Sequence, residues 1–215
     1  MMADIKILFT AENVRSIIDD LKWHTRRLLS MKRNITAPHI KRDDWKYFDF
    51  DNAWVDAGPS PAGNPGPYLQ VPWNNGDESI IVRLYPRIQP DDVLWVGETW
   101  APKTDGGYIY RATDNPEPDC GTPLKWQSSM LMPRAVCRLE LKVKRVRIER
   151  LRGITEDDAM AEGIGEFGEW GGNEDVTTPV GGFKELWDSI HSNDDNNWDI
   201  NPWVNVIEFE KAEVK

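Results

Sequence analysis

The sequence holds few of the residues that announce a metal site or a covalent framework. It has two cysteines and three histidines in 215 residues. Cys120 and Cys137 can pair, but nothing requires it. No Cys-x-x-Cys or Cys/His ligand spacing occurs, so no metal and no cofactor are expected. His24, His39 and His191 are scattered, which leaves a paired-histidine nuclease site without support. No run approaches the ~18 apolar residues of a membrane span. The opening Met1-Met2-Ala3-Asp4-Ile5-Lys6 has no apolar signal core, and a soluble cytoplasmic protein with reduced thiols is expected. Positive charge is in deficit, with 26 Lys and Arg against 36 Asp and Glu and a net charge of -10. Broad, non-specific nucleic-acid binding relies on neutralising phosphates, so this balance argues against it. A small basic pocket in an acidic shell is compatible with it.

Hydrophobic residues make up 40% of the chain, enough at this length for a real core in one domain. Eleven tryptophans are present, and Trp95, Trp100 and Trp126 are candidates for stacking on bases, with core packing as the alternative. Ile5–Phe9 reads as a strand, Thr10 as a cap, and Val14, Ile17, Ile18 and Leu21 as one face of a short helix. Lys22 follows, and Lys22, His24, Thr25, Arg26 and Arg27 form a tight basic cluster leading into Leu28-Leu29. In an extended segment alternate side chains share a face, so Thr25 and Arg27 point together. Residues 30–78 are the least regular part, and Gly58–Pro67 is a breaker with neither helix nor strand character. Ser79–Tyr85 and Val93–Val96 read as strands. Asp105-Gly106-Gly107 is a hairpin signal that returns Tyr108–Ala112.

From Ala135 to Leu151 the alternation is strong but changes parity, with Leu139, Leu141 and Val143 followed by Val146 and Ile148. Such a slip predicts a bulge. The basic residues of this stretch read as a solvated outer face. Thr155 and Asp158 resemble a capping box, and Gly163 stops the helix. Glu162 then sits at the helix C-terminus, where the dipole disfavours a carboxylate by roughly 0.3–1 kcal/mol, and is a candidate to pair Lys22. Phe183, Leu186, Trp187 and Ile190 form a second amphipathic helix, and Trp203–Phe209 a closing strand. The fold class expected is α+β: a small, bulged, mostly antiparallel β-barrel with a few short helices and long loops.

Lys22-Trp23-His24-Thr25-Arg26-Arg27 resembles the Lys-x-x-Thr-Arg-Arg signature of the ASCH family, a PUA-like β-barrel, in which it follows a short N-terminal helix. Asp92–Val96 resembles that family's Gly-Asp-x-Leu-x-Val strand. Met132–Leu151, Ile154–Gly163, Leu186–Asp188 and Asn201–Val204 are similar to its phage and prophage subgroup. The likeness spans 1–215 except about 34–78 and 165–181, which would be insertions. The resemblance implies a site that holds a nucleoside, modified base or RNA. One bacterial branch hydrolyses N4-acetylcytidine to cytidine and acetate; carried over by motif, its residues are Lys22, Thr25 and Glu162, with Arg27 close by. Arg26, Arg27, Trp95 and Trp100 are expected on the ligand. A neutral Lys22 would activate Thr25, and Glu162 would orient it or protonate the leaving nitrogen. The alternatives are a non-catalytic RNA- or nucleotide-binding module and a ribonuclease-like phage accessory protein.

Overall fold

In the computed structural model the described residues are 3–29, 46–58, 66–103, 106–114, 125–165, 178–191 and 196–212. The architecture is mixed and rich in sheet, with few helices. Five strands, β1 (Asp4–Leu8), β2 (His24–Leu28), β6 (Val93–Gly97), β9 (Glu140–Arg150) and β10 (Trp203–Lys211), form one sheet in the order β1-β6-β9-β10-β2. Only the β1–β6 pair is parallel. Alternation sends Leu94, Val96, Leu141 and Val143 to one side, where they are fully buried with Ile5, Ile7 and Val14. Each such side chain contributes about 1.5–3 kcal/mol.

The parity slip has a structural counterpart. Glu208 pairs with Arg145 but Phe209 with Val143, so Lys144 is the extra residue of a bulge. Lys144 and Arg145 are both exposed there, and the bulge lets Val143 and Val146 face the same core. The sheet curls but does not close into the expected barrel. Its ladder ends at β1 and β2, whose edges are joined among the described residues by side chains. Arg27 Nη2 donates to the Leu8 carbonyl at 2.8 Å, its guanidinium lies 5.0 Å from the Phe9 ring centre, and Phe9 packs on Phe209 at 6.3 Å.

Helix α1 (Ala11–Ile18) is capped by Thr10, whose hydroxyl accepts from the Asn13 N–H. It buries Val14 and Ile17, but Leu21, expected on the same face, is 60% exposed. The helix stops earlier because Asp20 adopts φ +58°. Leu21 N and Lys22 N then both donate to the Ser16 carbonyl, at 2.8 and 3.1 Å. Helix α2 (Glu156–Ala161) has the capping box between Thr155 and Asp158. It packs on α3 (Pro179–His191), which starts on a proline at the position where a missing N–H costs nothing.

Part of the region expected to be irregular is ordered. β3 (Trp54–Asp56), β4 (Tyr68–Asn74) and β5 (Ser79–Leu84) form an antiparallel sheet with its own core of Leu69, Val71, Trp73, Val82 and Leu84. Pro72 hides β4 in the sequence, since proline cannot donate to a ladder. Its carbonyl accepts from Asp49 N at 2.8 Å, beyond the end of β3, so no rung with β5 is lost. Residues 59–65 lie outside the described residues, as do 34–45 and 166–177 of the expected insertions. Strands β7 (Trp100–Pro102) and β8 (Tyr108–Tyr110) make the hairpin, with Gly106 and Gly107 at positive φ. No helix among the described residues is long and apolar enough to cross a membrane.

Candidate functional site

The cationic stretch after α1 and the anionic end of α2 meet. Lys22 and Glu162 form an isolated antiparallel bridge, and Trp23 N donates to the Ala161 carbonyl at 2.9 Å. Glu162 occupies the C-cap of α2, and Gly163 follows at φ +85°. A Cβ at 163 would lie 3.1 Å from Lys22 Cβ and 3.2 Å from Ser16 Cβ. Glycine is therefore needed there twice, for the left-handed turn and for the close approach of the two segments.

Lys22 Nζ donates to the Glu162 carbonyl at 2.6 Å and to Oε2 at 2.8 Å. Both residues are only 5% exposed. Burial lowers the Lys22 pKa from its ordinary value; Glu162 opposes that shift, and Arg27 and Arg26 add to it. The misfit of a carboxylate at a helix C-terminus is thus offset by a cation from another segment.

The two arginines after Thr25 separate. Arg26, expected on the ligand, has a side chain that is 0% exposed. It reaches Glu149 at 2.8 Å, Asp158 at 2.9 Å and Glu162 at 3.3 Å, and lies over the Phe183 ring. Its charge is consumed by carboxylates, so it holds Glu162 rather than a ligand. Arg147 joins the same network through Glu149, Asp158 and Glu208, so it does not belong to the solvated face expected of the β9 cations. His24 Nδ1 is 3.4 Å from Asp158 Oδ1 but lacks hydrogen-bond geometry. Burial lowers its pKa against the raising effect of Glu208, Asp158 and Glu162.

Thr25 and Arg27 occupy the opposite face of β2. Arg27 spends one donor on the Leu8 carbonyl, and its Nε is buried without a partner. Its pKa is lowered by burial. Thr25 is 4% exposed and pairs through its backbone with Ile207, but its hydroxyl makes no hydrogen bond to Lys22 or Glu162. The structure therefore joins two of the three expected catalytic residues directly and places the third beside Arg27. A cleft of about 230 Å³ touches Lys22 and Trp23. Another of about 390 Å³ is lined by Leu8 and Phe9, the residues that Arg27 contacts.

Trp95 and Trp100 are not brought to this site. Trp95 alternates with the buried Leu94 and Val96 and faces away from them, with Lys6 Nζ 4.8 Å and Arg134 Cζ 5.7 Å from its ring. Trp100 lies edge-on to Tyr108 at 5.4 Å. Both pack on a separate cluster of Met132, Val136 and Cys137. Trp126 is half-buried, and His191 stacks on Trp187 at 4.5 Å. Cys137 is a buried free thiol; Cys120 and His39 lie outside the described residues. No group of three or more His, Cys, Asp or Glu among the described residues could hold a metal ion. The sequence reading missed Glu149, Asp158 and Arg147, which are legible only once β9, α2 and β10 are known to converge.

No protein-family model, no curated protein and no solved structure matches the chain.

Proposed function

We propose that the chain is an ASCH-type, PUA-like protein whose Lys22–Glu162 centre binds a nucleobase bearing an acyl-amide and cleaves that amide, with N4-acetylcytidine as the substrate. The observation that carries this is the buried contact of Lys22 with Glu162 across 140 residues of sequence. Burial lowers the pKa of Lys22 and so raises its neutral fraction at a given pH, and a neutral amine is what a threonine nucleophile needs.

Thr25 Oγ attacks the acetyl carbon while its proton passes to neutral Lys22 Nζ. Arg27, with donors unused, accepts the developing negative charge on the carbonyl oxygen. The bond from the carbonyl carbon to N4 breaks as the Lys22 ammonium, oriented by Glu162, delivers the proton it took from Thr25 to N4. Cytidine leaves, and an acetyl ester remains on Thr25. Water hydrolyses the ester, releasing acetate and restoring the hydroxyl. The purified protein should release cytidine and acetate from N4-acetylcytidine, at a rate that rises with pH through the lowered pKa of Lys22 and then levels. Thr25→Ala should abolish release with the fold intact; undiminished turnover by that variant would remove the mechanism.

A second reading, a module that holds a base or RNA without cleaving it, is favoured by the absence of a Lys22–Thr25 hydrogen bond. Calorimetric titration with nucleosides and short RNAs distinguishes it: heat without product supports it, and no heat removes it.

A further inference from the structure

Trp23 has a backbone fixed on both sides and a ring left in solvent. Its N–H donates to the Ala161 carbonyl and its carbonyl accepts from Phe209 N, each at 2.9 Å. Its side chain nevertheless leaves the residue 47% exposed, and Leu21 beside it is 60% exposed. The indole lies edge-on to the His24 ring at 6.3 Å, and its exposed surface is open to a stacking partner. It lines the cleft of about 230 Å³ together with buried Ile17 and Phe209, with Lys22, and with the charged residues Asp20, Glu210 and Lys211. That volume lies below the roughly 300–1,000 Å³ of sites for drug-sized ligands, and suits a single ring system.

The charges around the cleft select further. Lys211 Nζ is bound to Asp20 at 2.7 Å and to the Ile18 carbonyl at 2.7 Å. Glu210 is paired with Lys144 at 3.0 Å, and Lys22 with Glu162. Every charge lining the cleft is thus already paired, which leaves no uncommitted cation for a phosphate and makes an uncharged ring with hydrogen-bonding edges the fitting guest.

We propose that this cleft receives the flat, uncharged heteroaromatic ring of a nucleoside, stacked on the Trp23 indole beside Lys22. This rests on the reading that the Lys22 centre acts on a base, and it narrows the ligand to the nucleoside rather than the nucleotide.

The test is calorimetric titration of the intact protein with N4-acetylcytidine, cytidine and cytidine 5′-monophosphate, in the wild type and in Trp23→Phe, Trp23→Leu and Trp23→Ala. Losing a stacked base costs about 5- to 150-fold in affinity, and that loss is expected for the leucine and alanine variants. The phenylalanine variant, which keeps a ring, should stay within about threefold of wild type. Nucleoside should quench part of the indole fluorescence in the wild type, and that part should vanish in Trp23→Phe even if the smaller variants do not fold. The monophosphate should bind no tighter than the nucleoside. Wild-type affinity in folded Trp23→Leu, unchanged quenching in Trp23→Phe, tighter binding of the monophosphate, or no binding of any nucleoside each overturns the proposal. Thr25→Ala separates the two claims. Trp23-dependent binding with no acetate release by the wild type, or with undiminished release by Thr25→Ala, leaves stacking standing and removes the hydrolytic mechanism. Thr25-dependent hydrolysis with Trp23-independent affinity does the reverse.

Discussion

The two faces of β2 treat the same kind of side chain in opposite ways. On one face Arg26 is enclosed by Glu149, Asp158 and Glu162, with no exposed surface. On the other, Arg27 reaches a single carbonyl and keeps a buried nitrogen without a partner. A buried cation bound to three carboxylates is part of the scaffold, because its charge is spoken for even though its Nε, like that of Arg27, has no partner. Arg27, beside a threonine, binds one carbonyl and still has donors for the proposed ligand. Adjacent charges in a sequence thus need not share a role, and in a strand they face opposite ways.

The sharpest way to break this contrast is to remove each arginine in turn. Arg26→Ala removes one cation from three carboxylates that keep only Arg147 or Lys22, and deleting one member of a buried network costs about 3–5 kcal/mol; Arg27→Ala should cost only about 1–2 kcal/mol, on the scale of one hydrogen bond to a charged group plus a ring contact. Urea denaturation reads both, and a larger loss for Arg27 would reverse the assignment of roles. Hydrolysis should show the opposite bias, with folded Arg27→Ala losing turnover while keeping most of its stability.

Next in size is the coupling between Lys22 and Glu162. Lys22→Met and Glu162→Gln each leave a buried group short of a partner, and the double variant should be less destabilised than the sum by about 0.5–3 kcal/mol. Strict additivity would mean that the contact is incidental. Gly163→Ala comes third. A left-handed residue with a side chain costs about 1–2 kcal/mol, and its Cβ would press on Lys22 and Ser16 at 3.1–3.2 Å. Loss of stability should come with loss of turnover, since the same turn aims Glu162.

The smallest expected effect is with pH. His24 has a lowered pKa, so the folded protein prefers it neutral. As pH falls below the ordinary value of 6.5, the unfolded chain takes up a proton that the folded one refuses, and stability declines until His24 itself protonates. Asp158 moves the other way. Burial raises its pKa, but Arg26 and Arg147 together outweigh that and leave it lowered from 3.8. Its contribution is held above 3.8 and lost only as pH falls through the lower folded value. His24→Gln should flatten the decline that starts near 6.5 and leave the more acidic one in place.

Much of this was readable in the chain because it is local. The caps at Thr10 and Thr155, the stop at Gly163, the parity slip between Val143 and Val146 and the shared face of Thr25 and Arg27 all depend on neighbours in sequence. The pairing of Lys22 with Glu162 was legible from a misplaced charge at a helix end. What was not legible depends on distant elements. Arg26 was assigned to the ligand because nothing nearby shows Glu149 and Asp158 closing over it. Trp95 and Trp100 were expected on a base because indoles in a strand look alike whether they meet a ligand or a neighbouring loop. The sheet stays open because no backbone rungs join β1 to β2 among the described residues, and the Arg27 contact with the Leu8 carbonyl is between elements too far apart in sequence to be read from it.

That side chain has a mechanical consequence. Parting β2 from β10 would break a ladder of five register pairs. Spreading β1 from β2 breaks one contact of Arg27 with a carbonyl and loosens its seat on an aromatic ring. The molecule therefore has a clasp rather than a weld along one side, fastened by a single guanidinium.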